Sequence, residues 1–250
     1  MSLTVLVTGA SAGFGAAIAR RLVADGHRVI AAARRQQRLA ALAAELGDRL
    51  LPITLDVTDA AAVAALPASL PEAWRAVDVL VNNAGLGLGL SPAWQADLAQ
   101  WDTMVATNVT GLIHMTRALL PGMVERDRGH VINISSTAAI YPYPGGHVYG
   151  ASKAFVTQFS LNLRADLVGT GVRVTDLEPG LVGGSEFSQV RFGDAARAAA
   201  VYAGTTPLNP ENIAEAVAWV LALPAHMNVN RMELMPTCQA PSALTIKRKT

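Results

Sequence analysis

The chain contains very little cysteine and little charge. Of its 250 residues one is a cysteine, Cys238, so an intramolecular disulfide is excluded and the reducing cytoplasm is the expected location. Only 16% of the residues are charged and the net charge is +1, which favours neither nucleic acid nor an anionic membrane surface as a partner. No apolar stretch reaches the ~18 residues of a membrane span, and we expect no metal.

Short β-branched segments alternate with alanine-rich helical segments up to about position 180. The predicted strands are Leu3–Thr8, Arg28–Ala33, Leu50–Leu55, Val77–Val81, His130–Ile134, Val172–Leu177 and Asn228–Leu234. The predicted helices include Gly13–Asp25, Gln36–Leu46, Ala60–Leu66 and Tyr149–Val168. Apolar strands that are each followed by a helix predict an α/β fold, a Rossmann-type doubly wound parallel sheet of about seven strands with helices on both faces.

The chain contains no internal repeat and no linker, so we expect a single domain over residues 1–250. Residues 181–210 depart from the alternation of strands and helices. An excursion of this length between a strand and the next helix is usually functional, and we expect it to cover a substrate.

A glycine-rich turn follows the first predicted strand and begins the first predicted helix. Glycines let the backbone approach a pyrophosphate, and the helix N-terminus offers free N–H groups. A dinucleotide is therefore expected at residues Gly9, Ser11, Gly13, Phe14 and Gly15. The spacing Gly-x-x-x-Gly-x-Gly differs from the common Gly-x-Gly-x-x-Gly, and a tight turn without a ligand is the alternative.

Two arginines, Arg34 and Arg35, follow the second predicted strand, where a carboxylate would indicate free ribose hydroxyls. A guanidinium group fits the geometry of a phosphate and keeps its charge. We therefore predict NADP, with both arginines at its 2′-phosphate. The alternative is that they are ordinary solvated arginines, which for Arg35 is equally well supported.

Polar and small residues follow the third and fourth predicted strands at the same sheet edge. Asp56, followed by Val57, could accept a hydrogen bond from the adenine amine or could cap a helix, although Asp59 is better placed as the cap. Asn83, Ala84 and Gly85 should line the cofactor cleft, where Asn82-Asn83 would also secure neighbouring strands.

Tyr149 and Lys153 are four residues apart in a predicted helix, so their side chains project from one face. A cation beside a phenol favours the phenolate and should lower the pKa of Tyr149 from about 10. Such a tyrosine can exchange a proton with an alcohol or carbonyl oxygen, the step that accompanies hydride transfer.

Taken together, these motifs resemble the short-chain dehydrogenase/reductase family over essentially the whole chain. The resemblance rests on Thr8-Gly9-x-x-x-Gly13-x-Gly15, Asn82-Asn83-Ala84-Gly85, Asn108, Ser136, Tyr149-x-x-x-Lys153 and Pro179-Gly180, in that order. Closer similarity to NADP-dependent 3-hydroxy acid dehydrogenases that oxidise serine and allo-threonine rests on Glu178-Pro179-Gly180-Leu181-Val182-Gly183-Gly184 and Leu223-Pro224-Ala225-His226.

The resemblance implies a role for each matching residue. Tyr149 is expected to be the acid/base, Lys153 to hold the nicotinamide ribose, and Ser136 to donate to the substrate oxygen. Asn108 is expected to bind a water that links Lys153 to solvent. The backbone of Pro179, Gly180 and Val182 should surround the nicotinamide carboxamide. A homotetramer is also implied.

The substrate pocket is less well defined by the sequence. Arg191, in the excursion, could clamp a carboxylate or sulfonate through its planar fork, and a surface arginine is an equal alternative. Tyr143 and His147 precede the catalytic residues and could line the pocket, with a loop histidine the favoured interpretation of His147.

These observations favour an NADP-dependent oxidoreductase acting on small 3-hydroxy acids such as serine or 3-hydroxypropionate. One alternative within enzymes is a reductase for sulfoacetaldehyde or another small aldehyde or ketone. An alternative of a different class is a non-catalytic NADP sensor, against which the intact Ser136, Tyr149 and Lys153 argue.

Overall fold

A computed structural model describes residues 2–242 of the chain, so the basic segment 247–249 lies outside the described residues. Over this range the strands are β1 (Thr4–Thr8), β2 (Arg28–Ala33), β3 (Leu50–Thr54), β4 (Val79–Asn82), β5 (Gly129–Ile134), β6 (Val172–Pro179) and β7 (Arg231–Leu234). They form one parallel sheet in the order β3-β2-β1-β4-β5-β6-β7. The predicted doubly wound sheet is confirmed.

Nine α-helices lie within the described residues. They are α1 (Gly13–Ala24), α2 (Gln36–Leu46), α3 (Ala60–Ser69), α4 (Leu98–Val105), α5 (Leu112–Glu125), α6 (His147–Asp166), α7 (Phe187–Phe192), α8 (Ala195–Tyr202) and α9 (Pro210–Ala222). The predicted excursion contains α7 and α8. In the described part of the chain, no helix is both long enough and apolar enough to cross a membrane.

Two apolar layers cover the sheet because successive strand residues point to opposite faces. In β1, Val5 and Val7 pack on one face with α1, α2 and α9. Leu6, between them, packs on the other face with α3, α5 and α6. All three valine and leucine side chains are fully buried. Burial on both faces explains why a central strand such as β1 has a continuous apolar segment rather than an alternating one.

Several predicted boundaries differ from the observed ones. The seventh strand begins at Arg231 instead of Asn228, because the amide side chain of Asn228 replaces backbone pairing with β6. Its Oδ1 accepts from the Val174 N–H at 2.7 Å and its Nδ2 donates to the Val174 carbonyl at 2.9 Å. Helix α3 runs past the predicted end at Leu66 and includes Pro67 in its last turn.

A buried carboxylate ties two strands together at the edge where the strands begin. The Asp78 side chain accepts from the Thr4 N–H at 2.9 Å and pairs with Arg128 at 2.5 Å, and Asp78 is 6% exposed. Its charge is thus compensated by a cation and a backbone donor, as burial of a charge requires.

We predict that Asp78→Asn lowers the free energy of unfolding by about 2 kcal/mol, because it removes the charge from both interactions. In a domain of this size the melting temperature should fall by about 4–8 °C, which a thermal melt measures. Asp48→Asn, at an exposed carboxylate, is the control and should change little. An unchanged melting temperature in Asp78→Asn would refute the assignment.

Candidate functional site

A cavity of about 350 Å³ opens at the carboxyl ends of β1 and β4, where the strand order reverses. The lining contains most of the residues predicted to bind a cofactor. They are Gly9, Ser11, Gly13, Phe14, Arg34, Arg35, Asp56, Val57, Asn83, Ala84, Gly85, Tyr149 and Lys153. The described residues contain no cluster of His, Cys, Asp and Glu that could hold a metal ion.

The turn between β1 and α1 has the geometry of an anion cradle. Gly9 and Gly13 have φ of +67° and +51°, values that favour glycine. Gly15 packs under the turn, where a Cβ atom would lie 2.5 Å from the Gly9 carbonyl oxygen. No side chain caps α1, so its N-terminal N–H groups point at the cavity without a side-chain acceptor. This cradle fits a pyrophosphate.

Hydrogen bonds from Thr8 join the ends of β1 and β4. The Thr8 hydroxyl accepts from the Asn83 and Ala84 N–H groups at 3.0 and 2.9 Å, and the Asn83 amide donates to the Thr8 carbonyl at 2.8 Å. The amide of Asn82 donates to Asn133 on β5 at 2.8 Å. As the sequence predicted, these residues secure neighbouring strands.

The two arginines after β2 lie at one end of the cavity in different surroundings. The Arg34 side chain is 69% exposed and its Nη1 is 3.8 Å from Asp56. Arg35 donates from Nε to the Ser11 hydroxyl at 3.0 Å and from Nη1 to Glu186 at 2.7 Å. Both guanidinium groups border the cavity, and both could reach a phosphate there.

Glu186, which the sequence did not single out, links the excursion to helix α2. Besides Arg35 it accepts from Arg38 at 2.7 Å, and the two arginines lower its pKa through these hydrogen bonds. Nothing in the sequence brings residue 186 near residues 35 and 38, because this contact depends on how the excursion folds across the sheet edge.

Asp56 does not cap a helix. Its carboxylate accepts from the N–H and hydroxyl of Thr58 at 3.0 and 2.8 Å, whereas Asp59 caps α3 by accepting from the Ala62 N–H at 2.9 Å. The preference for Asp59 as the cap is confirmed. Asp56 lines the cavity, so the adenine contact stays a prediction for it.

Tyr149 and Lys153 are buried on one face of α6, as their spacing predicted. Lys153 Nζ lies 5.9 Å from the centre of the Tyr149 ring and donates to the Ile134 carbonyl at 2.9 Å. The hydroxyl of Ser136 accepts from the Ala138 N–H at 3.1 Å and lies within reach of the Tyr149 phenol. Ser135 also lines the cavity, and its hydroxyl donates to the Lys153 carbonyl at 2.9 Å.

Burial moves the pKa values of both groups. It raises the pKa of the Tyr149 phenol to about 12, with a further increase from Tyr143, while Ser136 and Arg191 act in the lowering direction. Burial also lowers the pKa of Lys153 to about 8. The predicted lowering of the Tyr149 pKa by Lys153 is not observed, because desolvation of the phenolate outweighs the lowering effects of Ser136 and Arg191.

Asn108 lies in a π-helical turn, Ala106–Gly111, between α4 and α5. Its side chain accepts from the Leu86 N–H at 2.9 Å and donates to the Leu86 carbonyl at 2.8 Å and to Ser152 at 3.0 Å. It thereby fixes the loop after β4 against α6. The proton-relay role stays a prediction.

Arg191 extends from the excursion to helix α6. Its guanidinium carbon is 5.2 Å from the Tyr149 ring and 5.3 Å from the Tyr143 ring, and Nη2 donates to the Tyr143 hydroxyl at 2.9 Å. The sequence did not predict Phe187 as a site residue, but the centre of its ring lies 5.5 Å from the centre of the Tyr149 ring. Arg191 is therefore next to the candidate acid/base.

His147 lies apart from this group. Its ring contacts Trp101 and bonds to the Ser91 carbonyl at 3.0 Å, and it lines a neighbouring cavity with Tyr143. It is the first residue of α6 rather than a loop residue. The structure thus places Tyr143 beside Arg191 and does not bring His147 to the Tyr149 phenol.

Pro179, Gly180 and Val182, at and just after the end of β6, are not among the residues that line the cavity. The Gly180 N–H donates to the Leu234 carbonyl at 2.7 Å and the Leu181 N–H donates to Gln239 Oε1 at 2.7 Å. Val182 is buried and bridges Leu208. Gln239, from the segment after β7, is a further residue that the sequence did not predict. Contact of Pro179, Gly180 and Val182 with a carboxamide stays a prediction.

Comparisons with known proteins agree with this geometry. A family model described as short chain dehydrogenase matches residues 3–194. The NADP-dependent 3-hydroxy acid dehydrogenase YdfG of Salmonella typhi is 62% identical over 98% of this chain and 100% of its own. Sulfoacetaldehyde reductase 2 of Chromohalobacter salexigens is 52% identical over 99% of this chain and 100% of its own.

Solved structures of serine dehydrogenases are also similar to this chain. A closed form of serine dehydrogenase complexed with NADP+ superposes with a TM-score of 0.95 at 58% identity, covering 99% of this chain and 100% of that one. Serine dehydrogenase from Escherichia coli gives a TM-score of 0.85 at 55% identity, with 95% and 100% covered.

We predict that Arg34→Asp reduces the preference for NADP over NAD, because a carboxylate repels the 2′-phosphate and accepts from ribose hydroxyls. The ratio of kcat/KM values for the two cofactors should fall by about tenfold or more, measured by absorbance of the reduced nicotinamide. Arg49→Asp, an exposed arginine that donates to the Gly26 carbonyl, is the control. An unchanged ratio would remove Arg34 from the phosphate site.

Proposed function

Because the chain belongs to the short-chain dehydrogenase family, we propose that it transfers a hydride between NADP and small 3-hydroxy acids such as serine or 3-hydroxypropionate. The chain is an NADP-dependent oxidoreductase that acts on CH–OH groups. The observation that supports small acidic substrates is Arg191, a cation whose guanidinium carbon is 5.2 Å from the ring of the candidate acid/base.

The residues of the cavity fit both phosphate groups of NADP, the pyrophosphate and the 2′-phosphate. The glycine turn and the bare N-terminus of α1 suit the pyrophosphate, and Arg34 and Arg35 suit the 2′-phosphate. NADP bound there would supply the acceptor or donor of the hydride. The part that remains for the protein is to place the alcohol, exclude water and move one proton.

Tyr149 exchanges that proton in the proposed mechanism. As an alcohol is oxidised, the phenolate oxygen takes the hydroxyl proton, and in reduction the phenol returns it. The raised pKa keeps the group a phenol across neutral pH, ready to donate. Ser136 donates a hydrogen bond to the substrate oxygen, and the charge of Lys153 favours the phenolate when it forms.

Arg191 provides the basis for the substrate class. A planar guanidinium can bind a carboxylate through two parallel hydrogen bonds. Here Arg191 is held by the Gly89 carbonyl and by the Tyr143 hydroxyl, at 3.2 and 2.9 Å, so the fork is oriented before substrate arrives. A carboxylate on the guanidinium would bring a β-hydroxyl of the same small molecule toward Tyr149.

A sulfonate carries the same charge and binds the same fork, so sulfoacetaldehyde reduction is a second candidate. It is favoured by the similarity to sulfoacetaldehyde reductase 2, which is only ten percentage points less identical than the hydroxy acid dehydrogenase.

Assembly as a homotetramer in the cytoplasm also stays a proposal. Exposed apolar side chains near α4 and α6, at Trp94, Ile140 and Phe155, are suitable for a subunit interface.

Tyr149→Phe separates an enzyme from a nucleotide sensor. We expect kcat to fall by about 10³-fold or more, because the variant has no hydroxyl to exchange the proton, while NADPH affinity changes by less than about threefold. Turnover is followed by NADPH absorbance and affinity by fluorescence titration. Tyr202→Phe, at a hydroxyl that bonds Ser188, is the control. Normal turnover in Tyr149→Phe would refute the mechanism.

Arg191→Ala tests the substrate class. The KM for serine, 3-hydroxypropionate or isethionate should rise by about 10- to 100-fold, the loss of one bidentate ionic contact. The KM for a neutral alcohol should change little. Arg197→Ala provides a control in the same excursion, because Arg197 packs on Phe192 instead. Equal effects on acidic and neutral substrates would exclude the clamp.

A further inference from the structure

A carboxyl group with no assigned role lies buried behind the catalytic lysine. Asp176, on β6, is 0% exposed. Neither of its carboxylate oxygens has a hydrogen-bond partner within the described residues. Buried polar groups are nearly always hydrogen-bonded, so a carboxyl group without a partner needs an explanation.

The groups around Asp176 come from β6 itself and from three neighbouring elements, α6, β7 and β5. Helix α6 provides Lys153 and Thr157, and β6 itself provides Glu178. On β7, Arg231 is the register partner of Asp176, but its guanidinium makes two 3.0 Å hydrogen bonds to Glu178. The register partner on β5, Asn133, is neutral and donates to Ser160.

This arrangement leaves two unequal carboxylates. Glu178 is compensated by Arg231 and by Thr157, which donates to it at 3.2 Å. Asp176 makes no hydrogen bond of this kind among the described residues. Burial raises its pKa to about 7 and Glu178 raises it further, while Thr157 and Lys153 act to lower it. The negative charge of Asp176 is therefore opposed by burial and by Glu178 and favoured by Lys153.

The buried positive charge of Lys153 is also incompletely compensated. Its ammonium is buried and donates to one carbonyl, that of Ile134, and no carboxylate within residues 2–242 forms a direct ion pair with it. Ile134 is in register with Leu177, the residue after Asp176 on β6, so the ammonium is held on the strand pair that carries this carboxylate. The charge of Asp176 acts to raise the pKa of Lys153 against burial.

We propose that Asp176 is a positioning residue for the charge of Lys153: its buried carboxylate keeps the ammonium protonated where α6 faces β6. The proposal rests on the proposed function only for its kinetic consequence. Ionisation of Asp176 above neutral pH supplies the negative charge in the range where burial would otherwise deprotonate Lys153.

The direction in which loss of the Asp176 carboxylate shifts the pKa of Lys153 follows from the charges of the two groups. Below pH 7 Asp176 is mainly neutral and Lys153 is charged in any case, so removing the carboxylate changes little. Above pH 7 the carboxylate favours the ammonium. Asp176→Asn should then lower the pKa of Lys153 by about one unit, at the lower end of the effect of a close opposite charge.

Lysine-specific NMR measures this directly, because the chain contains three lysines, at positions 153, 247 and 249. Protein labelled with ¹³Cε-lysine is titrated from pH 6 to 10, and Lys247→Arg and Lys249→Arg identify the Lys153 signal. We expect a midpoint near 8 in the parent protein and near 7 in Asp176→Asn. Asp78→Asn, another buried carboxylate, should leave the midpoint unchanged.

The kinetic measurement distinguishes a charge effect from simple damage to the fold. If Lys153 must be charged, kcat of Asp176→Asn should match the parent at pH 6 and be about fivefold lower at pH 8. A structural defect would lower kcat by the same factor at both values. Asp176→Ser takes the place of Asp176→Asn should the asparagine variant fail to fold.

An unchanged Lys153 midpoint in a folded Asp176 variant overturns the proposal, as does a kcat loss independent of pH. The NMR titration needs no turnover. A shifted midpoint in a protein inactive toward hydroxy acids would therefore support the role of Asp176 and refute the substrate, so the two failures are distinguishable.

Discussion

The burial of a phenol and an ammonium side by side is the constraint on which the site depends. Exclusion of water raises the pKa of Tyr149 and lowers that of Lys153, so both groups move toward their neutral forms. In the proposed mechanism, oxidation of an alcohol needs the phenolate beside the ammonium, and reduction needs the phenol. The surroundings oppose desolvation with specific groups, which are Ser136 and Arg191 at the phenol and Asp176 at the ammonium. These polar contacts cost stability in a core that could otherwise be apolar.

A parallel sheet makes such a site possible because its loops gather at one edge. The glycine turn, the arginines after β2, the amides after β4 and the serine after β5 are far apart in sequence and meet where the strands end. The excursion then reaches both ends of the cavity. Glu186 contacts Arg35 and Arg38 at the start of α2, while Arg191 contacts Tyr149. One segment thus couples the cofactor end of the cavity to the substrate end.

The sequence predicted local features well and through-space contacts poorly. The strands, the Asp59 cap and the shared face of Tyr149 and Lys153 follow from apolar periodicity, side-chain length and helical spacing. The start of β7 was misplaced because the Asn228 side chain mimics a backbone pair. Gln239 and Glu186 were missed because their partners lie more than fifty residues away.

The sequence by itself determined the doubly wound sheet, the family and the candidate for the acid/base group, since these depend on short-range patterns and on chemistry that few residues can perform. Tertiary structure decided the electrostatics. The sign of the Tyr149 pKa shift depends on how much water the folded chain excludes, which no spacing of residues reveals. The proximity of Asp176 to Lys153 likewise arises only when β6 packs against α6, because a buried charge acts on its neighbours in space rather than in sequence.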